Sequence, residues 1–360
     1  MSKPSTLSLP VIDLISWIDR SNHTEEERTQ ASKGLHEACL RYGFFYLRLD
    51  GFATDSEMQE LADLGRTFFH LEQSKKDEIR LANEDGARGY QRLKENVTMG
   101  KADNHEGIDF YKPVANPDKT KPLWGTNQWT SHIPGFREKF EDWIDKMQAL
   151  AECWPRMAMG LGMTQTEWED LRSKVDDSFW VMRIIGYPPL PSTHDGFSCG
   201  AHRDYGCLTF LYADPTPSAL QVFLGPDTDV AQSAIDASLA LPPEQGDTEG
   251  VWINADPLPG AVVCNIGEMW ETWTAGLYRS TLHRVIHRSS NYRVSVPFFF
   301  EPNFDAVVKP LEAALRIHNV TRSSSSKPLA GRFPPIIYGE FLKSKVGANF
   351  TEDSQPRERY

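Results

Sequence analysis

The sequence has few of the features that mark secreted, membrane or disulfide-linked proteins. Its 360 residues include five cysteines, widely scattered and without a C-x-x-C pair, so neither a disulfide framework nor a cysteine-based zinc site is indicated. No apolar run approaches the ~20 residues that cross a bilayer. The opening MSKPSTLSLP also lacks the charged and then apolar pattern of a secretory signal. We therefore expect a soluble, cytoplasmic protein with no membrane partner.

Dense clusters of basic residues are also lacking. The formal net charge is -12, and no Lys/Arg stripe offsets it locally, so the chain would repel a phosphate backbone. We therefore expect no nucleic-acid partner. The chain has no internal repeat, and its apolar content of 40% is that of a globular protein. A monomer or a weak homo-oligomer is expected.

The first half of the chain alternates short strands with amphipathic helices. Strands are predicted at 9–14 (LPVIDL) and 44–49 (FFYLRL), and each is followed by a segment with helical spacing of apolar residues. A third long helix is predicted from about Gly135 to Gly162, with a kink at Pro155 because proline cannot continue the backbone hydrogen bonds. This half is predicted to be mainly helical.

From Phe179 to Glu301 the sequence changes to short β-prone runs separated by Gly, Pro and Asp. Such a pattern favours a sandwich, a barrel or a jelly roll. Residues 225–249 interrupt it with Ala, Asp, Pro and Ser, and are predicted to form an inserted surface loop. The Ser-rich segment 321–328 is predicted to be a second flexible segment, after a helix near 309–318.

One H-x-[D/E] pair stands out as a candidate metal site. On a helix, residues two apart point about 200° away from each other, whereas on a strand they share a face. His202 and Asp204 are the pair that lies among predicted strands; the pairs at 23/25 and 70/72 flank helices. An isolated pair of this kind matches freely, so a third ligand is required to support it.

Third-ligand candidates lie in the run RSTLHRVIHRSSNYRVSV. His283 and His287 share a strand face, and the spacing by itself does not choose between them. Either one would complete a set of two histidines and one carboxylate, which is typical of non-haem Fe(II) oxygenases and leaves three coordination positions open.

Arg293 and Ser295 follow at strand spacing, so both point to one side. Fe(II) with two neutral imidazoles and one carboxylate keeps a charge of about +1. A dianion such as 2-oxoglutarate can chelate such an ion and leave its far carboxylate in need of a cation. Arg293 can supply a bidentate, charge-assisted pair, and Ser295 one further donor.

These segments resemble the plant- and microbe-type 2-oxoglutarate/Fe(II) dioxygenases of the isopenicillin N synthase-like family. The matching motifs are the H-x-D pair, the S-T-x-H-R-V run and the R-x-S pair ten residues after its histidine, and LPVIDL, YGFFYL, GYPP, NIGE and FEPN fall in the family's order. The resemblance selects His283 as the third ligand. It also implies that Fe(II) is the metal, that 2-oxoglutarate and O2 are co-substrates, and that Tyr187 binds the 2-oxoglutarate carboxylate.

The resemblance implies an α+β fold: a double-stranded β-helix (jelly roll, cupin-like) core with an N-terminal α/β section and flanking helices. We accordingly divide the chain into an N-terminal region (1–175), the dioxygenase core (176–302) and a C-terminal helical extension (303–360). Two departures from the family pattern stand out. The stretch between Asp204 and His283 is unusually long, which matches the inserted loop, and NIGE replaces the commoner NIGD at Glu268, where a contact at the pocket rim could differ.

The resemblance also indicates substrate-binding candidates, because the polar and aromatic stretch 88–113 lies where family members often place substrate-contacting loops. Part of this stretch, together with EPNFDA, is similar to the ethylene-forming enzyme branch of the family. The candidates are Arg183, Glu95, Thr98, Phe298 and Phe300. Each also has a plain structural explanation, as an ion-pair member, a solvated loop residue or a core aromatic.

The predicted function is an Fe(II)- and 2-oxoglutarate-dependent oxygenase that hydroxylates, desaturates or cyclises a small organic molecule, releasing succinate and CO2, in secondary metabolism. One alternative is an oxidase of the isopenicillin N synthase or aminocyclopropane carboxylate oxidase type, which does not consume 2-oxoglutarate. A non-catalytic, cupin-like binding protein is a third possibility. A zinc hydrolase is disfavoured because the chain has no H-E-x-x-H motif.

Overall fold

The computed structural model describes residues 9–19, 21–98, 100–151, 160–191, 197–226, 228–236, 250–321 and 332–348. The helices in these ranges are α1 (Ile15–Ile18), α2 (Glu25–Arg41), α3 (Asp55–Phe69), α4 (Gln73–Asp77), α5 (Phe136–Ala151), α6 (Gln165–Arg172), α7 (Asp229–Asp236), α8 (Glu268–Trp273), α9 (Glu312–Thr321) and α10 (Tyr338–Ala348). None of them combines the length and apolarity needed to span a lipid bilayer.

The strands are short and most lie in the second half of the chain. They are β1 (Val11–Asp13), β2 (Phe44–Arg48), β3 (Gly89–Gln91), β4 (Val97–Thr98), β5 (Lys101–Ala102), β6 (Glu106–Tyr111), β7 (Val181–Tyr187), β8 (Cys199–His202), β9 (Leu208–Ala213), β10 (Leu220–Leu224), β11 (Val251–Asn254), β12 (Ala261–Ile266), β13 (His283–Val285), β14 (Arg293–Phe300), β15 (Val307–Val308) and β16 (Ile336–Ile337).

Two sheets form the core within the described ranges. The major sheet has eight strands in the order β1-β2-β12-β9-β14-β7-β6-β3, and the minor sheet has four in the order β11-β10-β13-β8. Apart from the parallel β1-β2 pair, the strands of both sheets pair antiparallel. Antiparallel strands that are distant in sequence but adjacent in space are typical of a jelly roll, and the predicted fold class is confirmed.

Apolar side chains fill two layers, one on each face of the major sheet. On β12, Ala261 and Val263 pack towards the minor sheet, while Val262, Cys264 and Ile266 join the large cluster that α2, α3 and α5 cover. This alternation follows from the two-residue period of a strand. The face between the two sheets is called the inner face below.

The helix ends follow local sequence chemistry. Thr54 caps α3, where its hydroxyl accepts from the amide of Glu57 and the Glu57 carboxylate accepts from the amide of Thr54. Gly43 separates α2 from β2 with a φ of +63°, and a Cβ there would lie 2.1 Å from the Arg279 carbonyl oxygen. Glycine is required at this position for both reasons.

The predicted loop at 225–249 is corrected in part. Residues Asp229–Asp236 form α7, and Ala231 and Ala234 are fully buried in the cluster between the sheets. Small apolar residues three apart lie on one helix face and can pack against a sheet. The helix was missed because the Ala and Asp residues of the segment resemble those of a surface loop. Residues 237–249, Pro155 with its predicted kink, and the Ser-rich segment 322–328 lie outside the described residues.

Residues 88–113 also depart from the loop expectation. They contain β3 and β6, and all six residues of β6 are buried at a position between β7 and β3 in the major sheet. The N-terminal region thereby contributes strands to the core sheet. The division at 175 and 302 stays a prediction.

Candidate active site

The inner face of β14 carries the predicted R-x-S pair. Arg293 and Ser295 are each 1% exposed and lie across from Tyr187 and Ile185 of β7. The alternation continues to Phe299, which lines a cavity between the sheets.

The same alternation corrects the expectation that Phe298 and Phe300 line the substrate pocket. Both side chains belong to the cluster on the opposite face of the major sheet, together with Val294 and Val296. The two-residue strand period places positions 293, 295 and 299 on one face and 298 and 300 on the other.

Three candidate metal ligands meet at the edge of the minor sheet. His202 ends β8 and pairs with His283 of β13, and the two ring centroids are 4.3 Å apart. The Asp204 Oδ1 atom lies 3.5 Å from Nε2 of His202 and 3.6 Å from Nε2 of His283. One atom from each residue can therefore contact a single ion.

His287, the competitor for the third position, is fully buried elsewhere. Its Nε2 atom lies 2.7 Å from the Asn291 carbonyl oxygen, and it follows β13 rather than continuing it. A change of strand register between His283 and Val285 accompanies this departure. The strand periodicity that would have kept positions 283 and 287 on one face therefore stops before His287.

Hydrogen bonds orient the three ligands towards one point. The Nδ1 atom of His202 lies 2.9 Å from the Gly200 carbonyl oxygen, and that of His283 lies 3.0 Å from the Thr281 carbonyl oxygen. A carbonyl oxygen can only accept, so each Nδ1 carries a proton and each Nε2 is directed at the common point, where a metal ion would take the place of any proton on it.

Asp204 is held in the same way. Its Oδ2 atom accepts hydrogen bonds from the Thr209 hydroxyl and from the Asn265 side-chain amide, the latter at 2.6 Å, which leaves Oδ1 directed at the histidines. Sequence reasoning did not assign these two partners. Asn265 lies in the NIGE motif, so a polar residue at a buried strand position was the signal available.

Burial and mutual charge set the protonation of the cluster. Burial lowers the pKa of His283 to about 4, helped by the neighbouring His202. Burial also opposes a charge on His202, but Cys199 and Asp204 outweigh it and raise its pKa well above the usual value. For Asp204, burial raises the pKa, yet His283 and His202 bring it below the usual value. The carboxylate is thus ionised and can bind a cation.

Arg293 is a buried cation with unsatisfied donors. Its Nε and Nη1 atoms have no hydrogen-bond partner among the described residues, and its guanidinium carbon lies 4.8 Å from the ring centroid of Tyr187. The Ser295 hydroxyl is 3.5 Å from the Tyr187 hydroxyl. Arg293 also borders a cavity of about 240 Å³ together with Leu220 and Val263 from the two sheets. Unpaired guanidinium donors inside a protein are costly unless an anion binds them.

A larger cavity of about 580 Å³ opens at the His-Asp-His cluster, a size that suits a small organic molecule. Its lining includes two predicted substrate residues, Thr98 and Arg183. Thr98 donates a hydrogen bond of 2.7 Å to Asp103. The third candidate, Glu95, lies off the lining, because its carboxylate accepts from Arg80 at 2.7 Å and from the backbone amide of Arg92.

Several acidic side chains line the same cavity and were not predicted as substrate residues. Asp109 pairs with Arg183 at 2.5 Å and accepts a hydrogen bond of 2.6 Å from Gln91. Glu268 lies at the rim, 3.6 Å from the Lys345 amine on α10. Glu301, at the end of β14, is 3% exposed. For Glu301 the sequence signal was a carboxylate directly after an apolar strand.

Comparison with known proteins agrees with this geometry. Residues 177–302 match the model of the 2OG-Fe(II) oxygenase superfamily, and residues 9–132 match that of the N-terminal region of non-haem dioxygenase in morphine synthesis. The chain is 38% identical to homoarginine-6-hydroxylase 2-ODD-C23 of Glycine max, over 96% of this chain and 98% of that protein. The homoarginine-6-hydroxylase 2-ODD-233 of Oryza sativa is 36% identical over 95% of this chain and 98% of that protein. A full-length Neurospora crassa protein, solved in complex with alpha-KG, superposes with a TM-score of 0.72 at 21% identity, covering 94% of this chain and 96% of that one, which shows the shared fold.

A jelly roll with two histidines and a carboxylate at one edge of its sheet defines the class of non-haem iron oxygenases. The chain belongs to the 2OG-Fe(II) oxygenase superfamily. It is a 2-oxoglutarate-dependent dioxygenase that requires Fe(II) and acts on a small molecule. The aminocyclopropane carboxylate oxidase alternative is matched at lower identity, 27% for the Dictyostelium mucoroides protein over 84% of this chain and 83% of that protein.

Proposed function

We propose that His202, Asp204 and His283 hold the Fe(II) ion of this oxygenase. The donor set fits the ion, since two imidazole Nε2 atoms and one carboxylate oxygen converge while their other polar atoms are occupied by hydrogen bonds. Bound iron would supply O2 activation, and the chain would supply the ligand geometry.

We further propose that Arg293, Ser295 and Tyr187 bind 2-oxoglutarate. The unpartnered Nε and Nη1 donors of Arg293 fit the far carboxylate of a dianion, and the Ser295 hydroxyl, two residues along the same strand face, can add a hydrogen bond. The ring of Tyr187 covers the guanidinium from β7, which keeps water away from the pair. Each of these side chains binds or orients; none needs to transfer a proton.

We propose that the substrate is an amino acid with a guanidinium side chain and that the reaction is hydroxylation. In a balanced form, substrate, 2-oxoglutarate and O2 give hydroxylated substrate, succinate and CO2, with one oxygen atom in the new hydroxyl and the other in succinate. The observation that carries the proposal is the charge arrangement of the cavity lining, where Asp109 and Glu268 are paired with Arg183 and Lys345 while the buried Glu301 has no basic partner among the described residues. The names of the Glycine max and Oryza sativa relatives support it.

The rim of the cavity suits the other end of an amino acid. Lys345 and Arg203 can meet an α-carboxylate, and Glu268 can meet an α-ammonium group. An elongated substrate with a cation at the deep end and a zwitterionic head at the rim thus has a partner for each charge.

The test is a substrate screen with purified enzyme, Fe(II), 2-oxoglutarate and O2. We expect homoarginine or arginine to raise succinate formation above the substrate-free rate and to gain one oxygen atom by mass spectrometry, whereas leucine should do neither. If no cationic amino acid stimulates succinate formation, the proposed substrate class is wrong. The cytoplasmic location, the role in secondary metabolism and the monomeric or weakly associated state stay predictions.

A further inference from the structure

Glu301 is the cavity-lining acid whose carboxylate has the fewest hydrogen-bonding or basic partners among the described residues. Its Oε2 atom accepts no hydrogen bond from the described residues, although the side chain is 3% exposed. The Tyr338 hydroxyl of α10 lies close enough to this carboxyl to oppose the rise in its pKa, but the two groups do not meet in good hydrogen-bond geometry. A buried carboxyl oxygen without a donor is destabilising, so it indicates that a donor arrives with a ligand.

The other acids around the cavity already have partners. Asp109 pairs with Arg183 and accepts a hydrogen bond from Gln91, Glu268 is next to Lys345 at the rim, and Asp204 belongs to the metal cluster. Among the described acids of the lining, Glu301 is therefore the one placed to bind a further cation inside the cavity.

Gly206 lies opposite Glu301, and its lack of a side chain leaves space for the Glu301 carboxyl group. A Cβ atom on Gly206 would lie 1.5 Å from Glu301 Oε2, so a side chain there would displace the carboxyl group. Gly206 follows Asp204 by two residues, which keeps the carboxyl close to the metal cluster. The Oε2 atom of Glu301 occupies the space that glycine leaves, and it has no hydrogen-bond partner among the described residues.

The proposed reaction needs a cation at this depth. Carbon 6 of homoarginine carries the guanidino group directly, so the carbon that faces the metal cluster and the positive charge are separated by a single bond to nitrogen. An acid near Asp204 can hold the guanidinium while that carbon faces the metal site. An acid at the rim, such as Glu268, would draw the same group away from it.

We propose that Glu301, which lines the cavity, binds the substrate guanidinium with its carboxylate group and thereby determines the preference for a cation next to the oxidised carbon. This inference rests on the proposed function, since it assigns a residue to the charged end of that substrate. A guanidinium offers paired N–H donors that a carboxylate can accept together, and its positive charge favours the ionised form of the carboxyl when the substrate binds.

The experiment compares L-homoarginine with L-homocitrulline, in which a neutral ureido group replaces the guanidinium at the same length. Binding to the Fe(II)/2-oxoglutarate enzyme is measured by anaerobic calorimetry, so that no turnover occurs. We expect the wild type to prefer homoarginine by about tenfold to a hundredfold, the range for a charged hydrogen bond, and Glu301→Gln to lose most of that preference. Glu301→Asp, which keeps the charge on a shorter side chain, should retain part of it.

Glu271→Gln is the matched control, because Glu271 is an acid of α8 that does not line the cavity. It should keep the wild-type preference. If wild-type enzyme neither binds nor oxidises homoarginine or arginine, the proposed function fails. If it oxidises homoarginine and Glu301→Gln keeps the full preference over homocitrulline, the role of Glu301 is overturned while the function stands. Circular dichroism on each variant identifies a folding defect. If Glu301→Gln is misfolded, Glu301→Asp provides the test: a preference for homoarginine equal to that of the wild type overturns the inference.

Discussion

His202 and His283 face each other directly across the antiparallel pair of β8 and β13, with ring centroids 4.3 Å apart. Their sequence separation is large, yet the register of two short strands is enough to bring both Nε2 atoms to one carboxylate oxygen of Asp204. The cluster thus depends on strand pairing, and the carbonyl oxygens of Gly200 and Thr281 fix its ring orientations.

Replacing Asp204 by Ala should abolish iron-dependent turnover, because the metal would lose its anionic ligand and two imidazoles alone hold Fe(II) weakly. The measurement is anaerobic addition of Fe(II) and 2-oxoglutarate, followed by the visible metal-to-ligand charge-transfer band, and succinate formation in air. His70→Ala, which removes an imidazole at the exposed end of α3, should leave both signals intact. Normal succinate production by Asp204→Ala would refute the ligand assignment.

The Thr209 hydroxyl should tune the metal affinity through Asp204. Thr209→Val has nearly the same shape but cannot donate to Oδ2, so the carboxylate loses one of its two anchors. We expect Fe(II) binding to weaken by roughly 10- to 100-fold, the usual effect of removing a partner of a metal ligand. Titration with Mn(II), followed by electron paramagnetic resonance, provides the measurement, and Thr209→Ser should restore most of the affinity. Equal affinities for all three proteins would contradict the role.

Arg293→Leu should raise the 2-oxoglutarate concentration needed for half-maximal rate at least tenfold, because a charged hydrogen-bonded pair with the far carboxylate is lost. The same change should not lower the stability of the ligand-free protein, since it removes a buried charge whose donors Nε and Nη1 lack partners among the described residues. Steady-state kinetics and urea denaturation test the two expectations. Arg293→Lys keeps the positive charge but loses the paired guanidinium donors. Its 2-oxoglutarate requirement should therefore lie between those of the wild type and Arg293→Leu. An unchanged 2-oxoglutarate requirement in Arg293→Leu would exclude the assigned role.

Glu301 should make the stability of the ligand-free protein depend on pH. Burial raises the pKa of its carboxyl well above the usual value; the Tyr338 hydroxyl opposes this and the Asp204 charge adds to it. Above the unfolded-state pKa of about 4.3 the unfolded chain has released this proton while the folded protein keeps it. The wild type should therefore lose stability relative to Glu301→Gln as pH rises towards the folded pKa, by up to about 1.4 kcal/mol per pH unit.

Urea denaturation of metal-free wild type and Glu301→Gln between about pH 5 and 8 measures this difference. The free energy of unfolding of the wild type minus that of Glu301→Gln should be largest at the acid end of the series. A difference that stays constant with pH would mean that Glu301 has the same pKa in the folded and unfolded states.

The local elements of this fold follow from local chemistry and were predictable. Helix α3 begins at a capping box, and β12 alternates between two apolar layers, so each could be assigned from a short window of sequence. Segment 88–113 was harder, because its polar side chains resemble those of a loop. Its strand β6 is buried since Asp109 finds Arg183 and Gln91 on neighbouring strands, partners that no local pattern reveals.

The sequence by itself determined the chemical type of the site. A histidine and an acid two apart, a second histidine, and an R-x-S pair on one strand face are local patterns, and ligand chemistry connects them to iron and a dianion. Strand spacing left His283 and His287 open and the family resemblance selected His283, but only the tertiary structure gives the physical reason: the strand register shifts after His283 and the chain leaves β13. Only the tertiary structure placed Glu301 against Gly206 inside the cavity, because their proximity arises where β14 ends beside the turn that carries Asp204.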